Sequence, residues 1–106
     1  MTDLIARVAE KAGWTYARMD GEGYAFRPGL AGAAPSDMAD SGRLTGDGLV
    51  LLLRELLEAG GEVWKNEYGY WYMVMINGEH KMPNYAADTL EEAVMQAYLQ
   101  AFEGKR

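Results

Sequence analysis

The chain has 106 residues, 49% of them hydrophobic and 25% charged, with a formal net charge of −6, which suits one modest globular core. It contains no cysteine, so disulfides and thiolate metal sites are excluded. Its acidity, with no basic cluster longer than the terminal Lys105–Arg106, argues against direct binding of duplex nucleic acid through phosphates.

The opening "TDLIARVAEKAG" reads as a helix over residues 2–12. Leu4, Ile5, Val8 and Ala12 share one face, Thr2 or Asp3 caps the start, and Gly13 ends it. Asp3 and Arg7 break any run that could serve as a signal peptide. The longest apolar stretches, "LVLLL" and "YWYMVMI", fall far short of the ~20 residues of a membrane helix. A cytoplasmic protein without membrane association is therefore expected. "WTYARM" and "YAFR" flank the turn "DGEG" and read as a first hairpin. Residues 28–47, rich in Gly, Ala, Pro, Ser and Asp, read as one long loop with little apolar anchoring, interrupted at most by a helical turn at "PSDMAD" with Pro35 and Ser36 or Asp37 at its start.

"GDGLVLLLRELLEAGG" is the strongest helical signal, spanning residues 47–59. Leu49, Leu52, Leu53, Leu56 and Leu57 form a wide stripe, Thr45 or Asp47 caps it, and Gly60–Gly61 stop it. Leu53 and Leu56 are its expected core residues. "EVWKNE" and "YWYMVMI" form a second hairpin around Tyr68–Gly69, and "NGEH" leads into a short extension before Pro83. Since "YWYMVMI" does not alternate, both its faces need cover. Tyr70, Tyr72, Val74 and Ile76 belong to one layer, and Trp71, Met73 and Met75 to the other. A last helix over 89–103 starts in a capping box, Asp88 with Glu91 or Thr89 with Glu92. It aligns Leu90, Val94, Ala97, Tyr98, Ala101 and Phe102, and Gly104 closes it.

The predicted order is αββ, loop, αββ, α. "AGWTYARMDGEGYAF" and "AGGEVWKNEYGYWYM" echo each other at equal offsets, which suggests that both hairpins join one sheet. The expected fold is thus α+β: one domain over residues 1–106, a four-stranded antiparallel sheet flanked by helices in an α/β/α sandwich.

Four segments carry a family likeness: "LIARVAEKAGW", "GDGLVLLLRELLEAGGEVW", "YGYWYMVMI" and "AADTLEEAVMQAYLQAFE". In order and local character the chain resembles the phage ABA-sandwich domain family, small phage and prophage proteins with helix–sheet–helix layering. Residues 28–47 depart from the aromatic, Pro-containing text usual there. The resemblance implies a fold and a phage context, not a reaction.

Motifs for chemistry are sparse. His80 is the only histidine, and Ser36 and Ser41 are the only serines. No nucleophile elbow, phosphate loop, dinucleotide fingerprint or calcium-loop spacing occurs. No catalytic residue, cofactor or metal is therefore expected. The aromatics supply the candidate site, because Trp and Tyr anchor protein interfaces. Trp71, Tyr98 and Phe102 read as core, whereas Trp64, Tyr68 and Tyr70 cluster near the second hairpin turn. With His80 and Lys81 after the next turn, and with the acidic Glu67 and Glu79, they form the expected partner-binding set.

The leading expectation is a non-catalytic phage accessory protein that binds a host protein with a basic surface, such as an antiviral defence component that it inhibits. The alternative is an oligomer that sequesters a small nucleotide between subunits, and a third reading is a small carboxylate-dependent enzyme. A homodimer is the expected assembly.

Overall fold

A computed structural model describes residues 2–26, 37–81 and 86–103. The protein is mixed α+β, with three helices and two antiparallel sheets among the described residues. It divides into two compact units, Met1–Leu51 and Leu52–Arg106.

In the first unit α1 (Thr2–Ala12) buries Ile5, Val8 and Ala9 completely. The cap expected from Thr2 or Asp3 falls on side chains outside the described residues. The helix ends as expected: Gly13 is left-handed, and the Trp14 N–H returns to the Ala9 carbonyl at 2.8 Å. Strands β1 (Thr15–Met19) and β2 (Glu22–Phe26) pair antiparallel around Asp20–Gly21. Both turn residues have positive φ, the twist-matched geometry of a two-residue hairpin.

The expected long loop needs correction. Residues 27–36, with Pro28, Pro35 and Ser36, lie outside the described set. Residues 37–44 are neither helical nor unanchored. Asp37 and Met38 form a bend into β3 (Ala39–Asp40), which turns through Ser41–Gly42 into β4 (Arg43–Leu44). Met38 and Ala39 are buried, the Met38 N–H bonds the Ala25 carbonyl, and Ala39 pairs with Ala25. The sheet order is β1-β2-β3-β4.

Helix α2 (Gly46–Glu58) starts at a tied point. The Thr45 hydroxyl accepts from the Gly48 N–H at 3.0 Å and donates to the Asp37 carbonyl, while the Thr45 N–H donates to the Met38 carbonyl at 3.0 Å. Thr45, rather than Asp47, is therefore the cap. Gly48 packs directly on the Met38 backbone, and a Cβ there would lie 2.1 Å from the Met38 carbonyl oxygen.

In the second unit the α2 stripe is narrower than its leucines suggest. Leu52 and Leu56 are fully buried, Leu53 is half-buried, and Leu57 is 53% exposed. Strands β5 (Glu62–Asn66), β6 (Gly69–Ile76) and β7 (Glu79–Lys81) form the second sheet in the order β5-β6-β7. The extension expected through "HKM" occurs as a strand one residue earlier, at Glu79–Lys81, so that the turn is Asn77–Gly78 rather than all of "NGEH", and Met82 lies outside the described residues. Its turn, Asn77–Gly78, has positive φ at both residues. Helix α3 (Leu90–Glu103) is capped by Thr89, whose hydroxyl accepts from the Glu92 N–H at 3.1 Å, which decides between the two capping boxes. One core holds Leu56, Tyr72, Val74, Ala87, Ala93, Ala97 and Ala101, with Val63, Tyr70, Ile76 and Phe102 packed against it. Alanines every four residues let α3 lie close on β6.

The expectation that both hairpins share one four-stranded sheet is corrected here: there are two sheets, of four and three strands. Each hairpin extends locally instead, the first by β3 and β4 and the second by β7. Two-residue turns supply β4 and β7 at little entropic cost, whereas β3 returns to β2 across residues 27–38.

Candidate functional site

The register of the second sheet sorts the candidate residues by face. Trp64 stands opposite Trp71, Lys65 opposite Tyr70, and Met75 opposite His80. Directly opposed residues point to the same side of a sheet, and successive residues alternate. The even-numbered residues of β6, Tyr70 to Ile76, therefore face α3, as the core cluster requires. Lys65, Glu79 and Lys81 share that side. Trp71, Met73 and Met75 share the opposite side with Glu62, Trp64 and His80. This is the two-layer division expected of "YWYMVMI".

The expected partner-binding set is thus only partly brought together. Trp64 and His80 are on one face, separated by about 13 Å along the strand direction, four residues at ~3.3 Å each. Tyr70, Glu79 and Lys81 are on the other. Tyr70 is half-buried and packs on the core, and its ring receives the Lys65 ammonium at 5.5 Å from the centroid. Lys81 and Glu79 form an exposed ion pair at 3.0 Å. Glu67 and Tyr68 belong to neither face. They make the β5–β6 turn itself, between Asn66 and Gly69.

That turn is well defined. The Asn66 side-chain carbonyl accepts from the Tyr68 N–H at 2.8 Å, the Asx geometry that fixes a tight turn. Gly69 has φ of 138°, and a Cβ there would lie 2.7 Å from the Ala87 carbonyl oxygen, so the backbone approach at this point admits only glycine. Beside it, Tyr70 exchanges two backbone hydrogen bonds with Ala87, at 2.8 and 2.7 Å. On this braced hairpin Tyr68 is 76% exposed and Trp64 38% exposed.

A side-chain hydrogen-bond network joins β6 to α3 in this unit. The Tyr72 hydroxyl accepts from the Gln100 amide at 3.1 Å and lies 3.3 Å from the Gln96 amide oxygen, and Gln96 in turn donates to Glu92. The Trp71 indole N–H is buried without an acceptor among the described residues. Among those residues no cluster of three or more His, Asp or Glu is placed to hold a metal ion, and no helix is long and apolar enough to cross a membrane.

Sequence reasoning does not separate Tyr70 from Tyr68. The signal is present in the parity of "YGYWY", but only the location of the turn fixes which parity faces the helix. No protein-family model matches the chain, and no curated protein or solved structure matches it.

Proposed function

We propose that the chain is a non-catalytic binding protein that engages a basic surface of another protein through the β5–β6 hairpin tip. The observation that carries this reading is Tyr68, a large aromatic 76% exposed on a turn held by its own hydrogen bond. A rigid exposed Tyr loses little conformational freedom on binding and buries a large area there. Glu67 beside it and Glu62 on β5 are exposed carboxylates, which favour a basic partner and make association salt-sensitive.

The same proposal carries the family assignment. The observed order is α1, four strands, α2, three strands and α3. What supports the ABA-sandwich reading is the helix that opens each strand group and the closing helix, with β3, β4 and β7 added to the two expected hairpins. On that reading this is a phage or prophage accessory protein acting in the host cytoplasm on a host protein, an antiviral defence component being the leading class of target.

The test is affinity purification of the tagged chain from a bacterial host, beside the variant Tyr68→Ala with Glu67→Lys. The expected result is a host protein that the wild type retains, that salt elutes, and that the variant loses while its circular dichroism is unchanged. A folded variant that retains the same protein, or a wild type that retains none, overturns the proposal.

A further inference from the structure

Strand β5 is the open edge of the second sheet, because among the described residues its only hydrogen-bonded neighbour is β6. The register sets which of its backbone groups are in use. Tyr70 spends its backbone N–H and C=O on Ala87, on the side of β6 away from β5. Lys65, opposite Tyr70, is therefore in a non-hydrogen-bonded pair and directs its own N–H and C=O out of the sheet. By alternation Val63 does the same, whereas Glu62, Trp64 and Asn66 bond to β6. Among the described residues no backbone group meets the outward groups of Val63 and Lys65.

We propose that this edge pairs with the same edge of a second copy, antiparallel about a two-fold axis at Trp64. With Trp64 opposite the partner's Trp64, Val63 falls opposite the partner's Lys65, and the reverse. The outward N–H and C=O of both residues on both copies are then satisfied together, giving four hydrogen bonds. The two Trp64 residues form the central non-hydrogen-bonded pair, where opposed side chains lie closest. The charges agree with this register: Glu62 faces Asn66 and Lys65 faces Val63, so no like charges oppose. Centring the axis on Lys65 would place two ammonium groups opposite each other.

Edge strands are usually blunted by proline, a bulge or a projecting lysine. β5 has no proline and pairs with β6 in unbroken register. Its one lysine lies back over the Tyr70 ring, on the sheet's own face, and leaves the edge clear. The axis is about 13 Å from each Tyr68, four strand residues away, so both hairpin tips stay outside the pairing. The dimer is accordingly independent of what those tips bind.

The full chain has no cysteine, so single cysteines report the register. Residues opposed in a non-hydrogen-bonded pair have Cα atoms ~4.5 Å apart, within the ~4.4–6.8 Å range of disulfides. Under mild oxidation Trp64→Cys should form covalent dimer at least ten times faster than Val63→Cys or Lys65→Cys, each of which lies two residues out of register with its own copy. Wild type should show a concentration-dependent rise by light scattering from 11.7 kDa toward twice that mass. Lys65→Pro removes an outward N–H without touching the bonds to β6, and should return the mass to the monomer value with circular dichroism unchanged. Where Lys65→Pro does not fold, the ratio among the cysteine variants decides. Equal cross-linking at the three positions, or a wild type that stays monomeric at all concentrations, overturns the proposal. A monomeric wild type whose β5 pairs instead with a strand of another protein overturns it equally.

Discussion

Glu55 of α2 and Tyr98 of α3 perturb each other's titration, the carboxylate acting on the phenol through its charge and through hydrogen bonding. Burial pushes the Tyr98 pKa up to about 12, reinforced by the negative charge of Glu55 and by the bond to it. Burial also raises Glu55, against the lowering effect of the Tyr98 bond. In both groups the folded state favours the protonated form. The stability that Tyr98 contributes is therefore present below pH 10 and lost as pH rises from 10 through about 12. Thermal melts should fall more steeply across that window for wild type than for Tyr98→Phe. Glu55→Gln should lower the Tyr98 phenolate midpoint, read as the difference in absorbance titration from the matching Tyr98→Phe variant.

The two ends of the α2 leucine stripe should respond differently. Leu56 is completely buried in the core, and Leu57 is 53% exposed. Leu56→Ala should cost ~2–5 kcal/mol in urea unfolding. Leu57→Ala should stay within about 0.5 kcal/mol of wild type.

At the start of α2, Thr45 holds both the helix and the 37–38 bend. Thr45→Ala should cost about 1–2 kcal/mol, with faster amide exchange at Gly48. Thr45→Ser, which keeps the hydroxyl, should recover most of the loss.

Gly69→Ala meets both a positive φ and the Ala87 carbonyl. A strained backbone position of this kind costs about 1–3 kcal/mol. The loss should appear with rapid exchange of the Tyr70 and Ala87 amides, whose paired bonds lie next to the clash.

Where local chemistry decides structure, the chain is legible. Sequence spacing predicts three helices over 2–12, 47–59 and 89–103, and they occur at Thr2–Ala12, Gly46–Glu58 and Leu90–Glu103, because caps, glycine stops and apolar spacing are all short-range signals. The β3–β4 hairpin escapes such a reading because its strands have two residues each, too few to show alternation. Ser41–Gly42, with φ of 52° and 82°, is the available clue, and its composition reads equally well as loop. Sheet membership is not legible at all, since nothing in "YAFR" records whether its free edge will meet β3 or a strand of the second hairpin. In the candidate set, Trp64 and Tyr68 emerge exposed. Tyr70 looks equivalent to them in sequence, yet its side of the strand depends on where the turn closes.

Both sheets are simple meanders, in which each strand lies beside its neighbour in sequence. Most of the described strands pair across a two-residue turn, so the contacts that build each sheet are mostly local. Local topology of this kind shortens the conformational search and speeds folding relative to sheets with long crossovers. In the first unit the slow step should be the union of β2 with β3 at Ala25 and Ala39, the longest closure between paired strands. In the second it should be the return of Ala87 to Tyr70. Stopped-flow refolding should then show Gly69→Ala retarding the second unit's signal while Thr45→Ala leaves it unchanged.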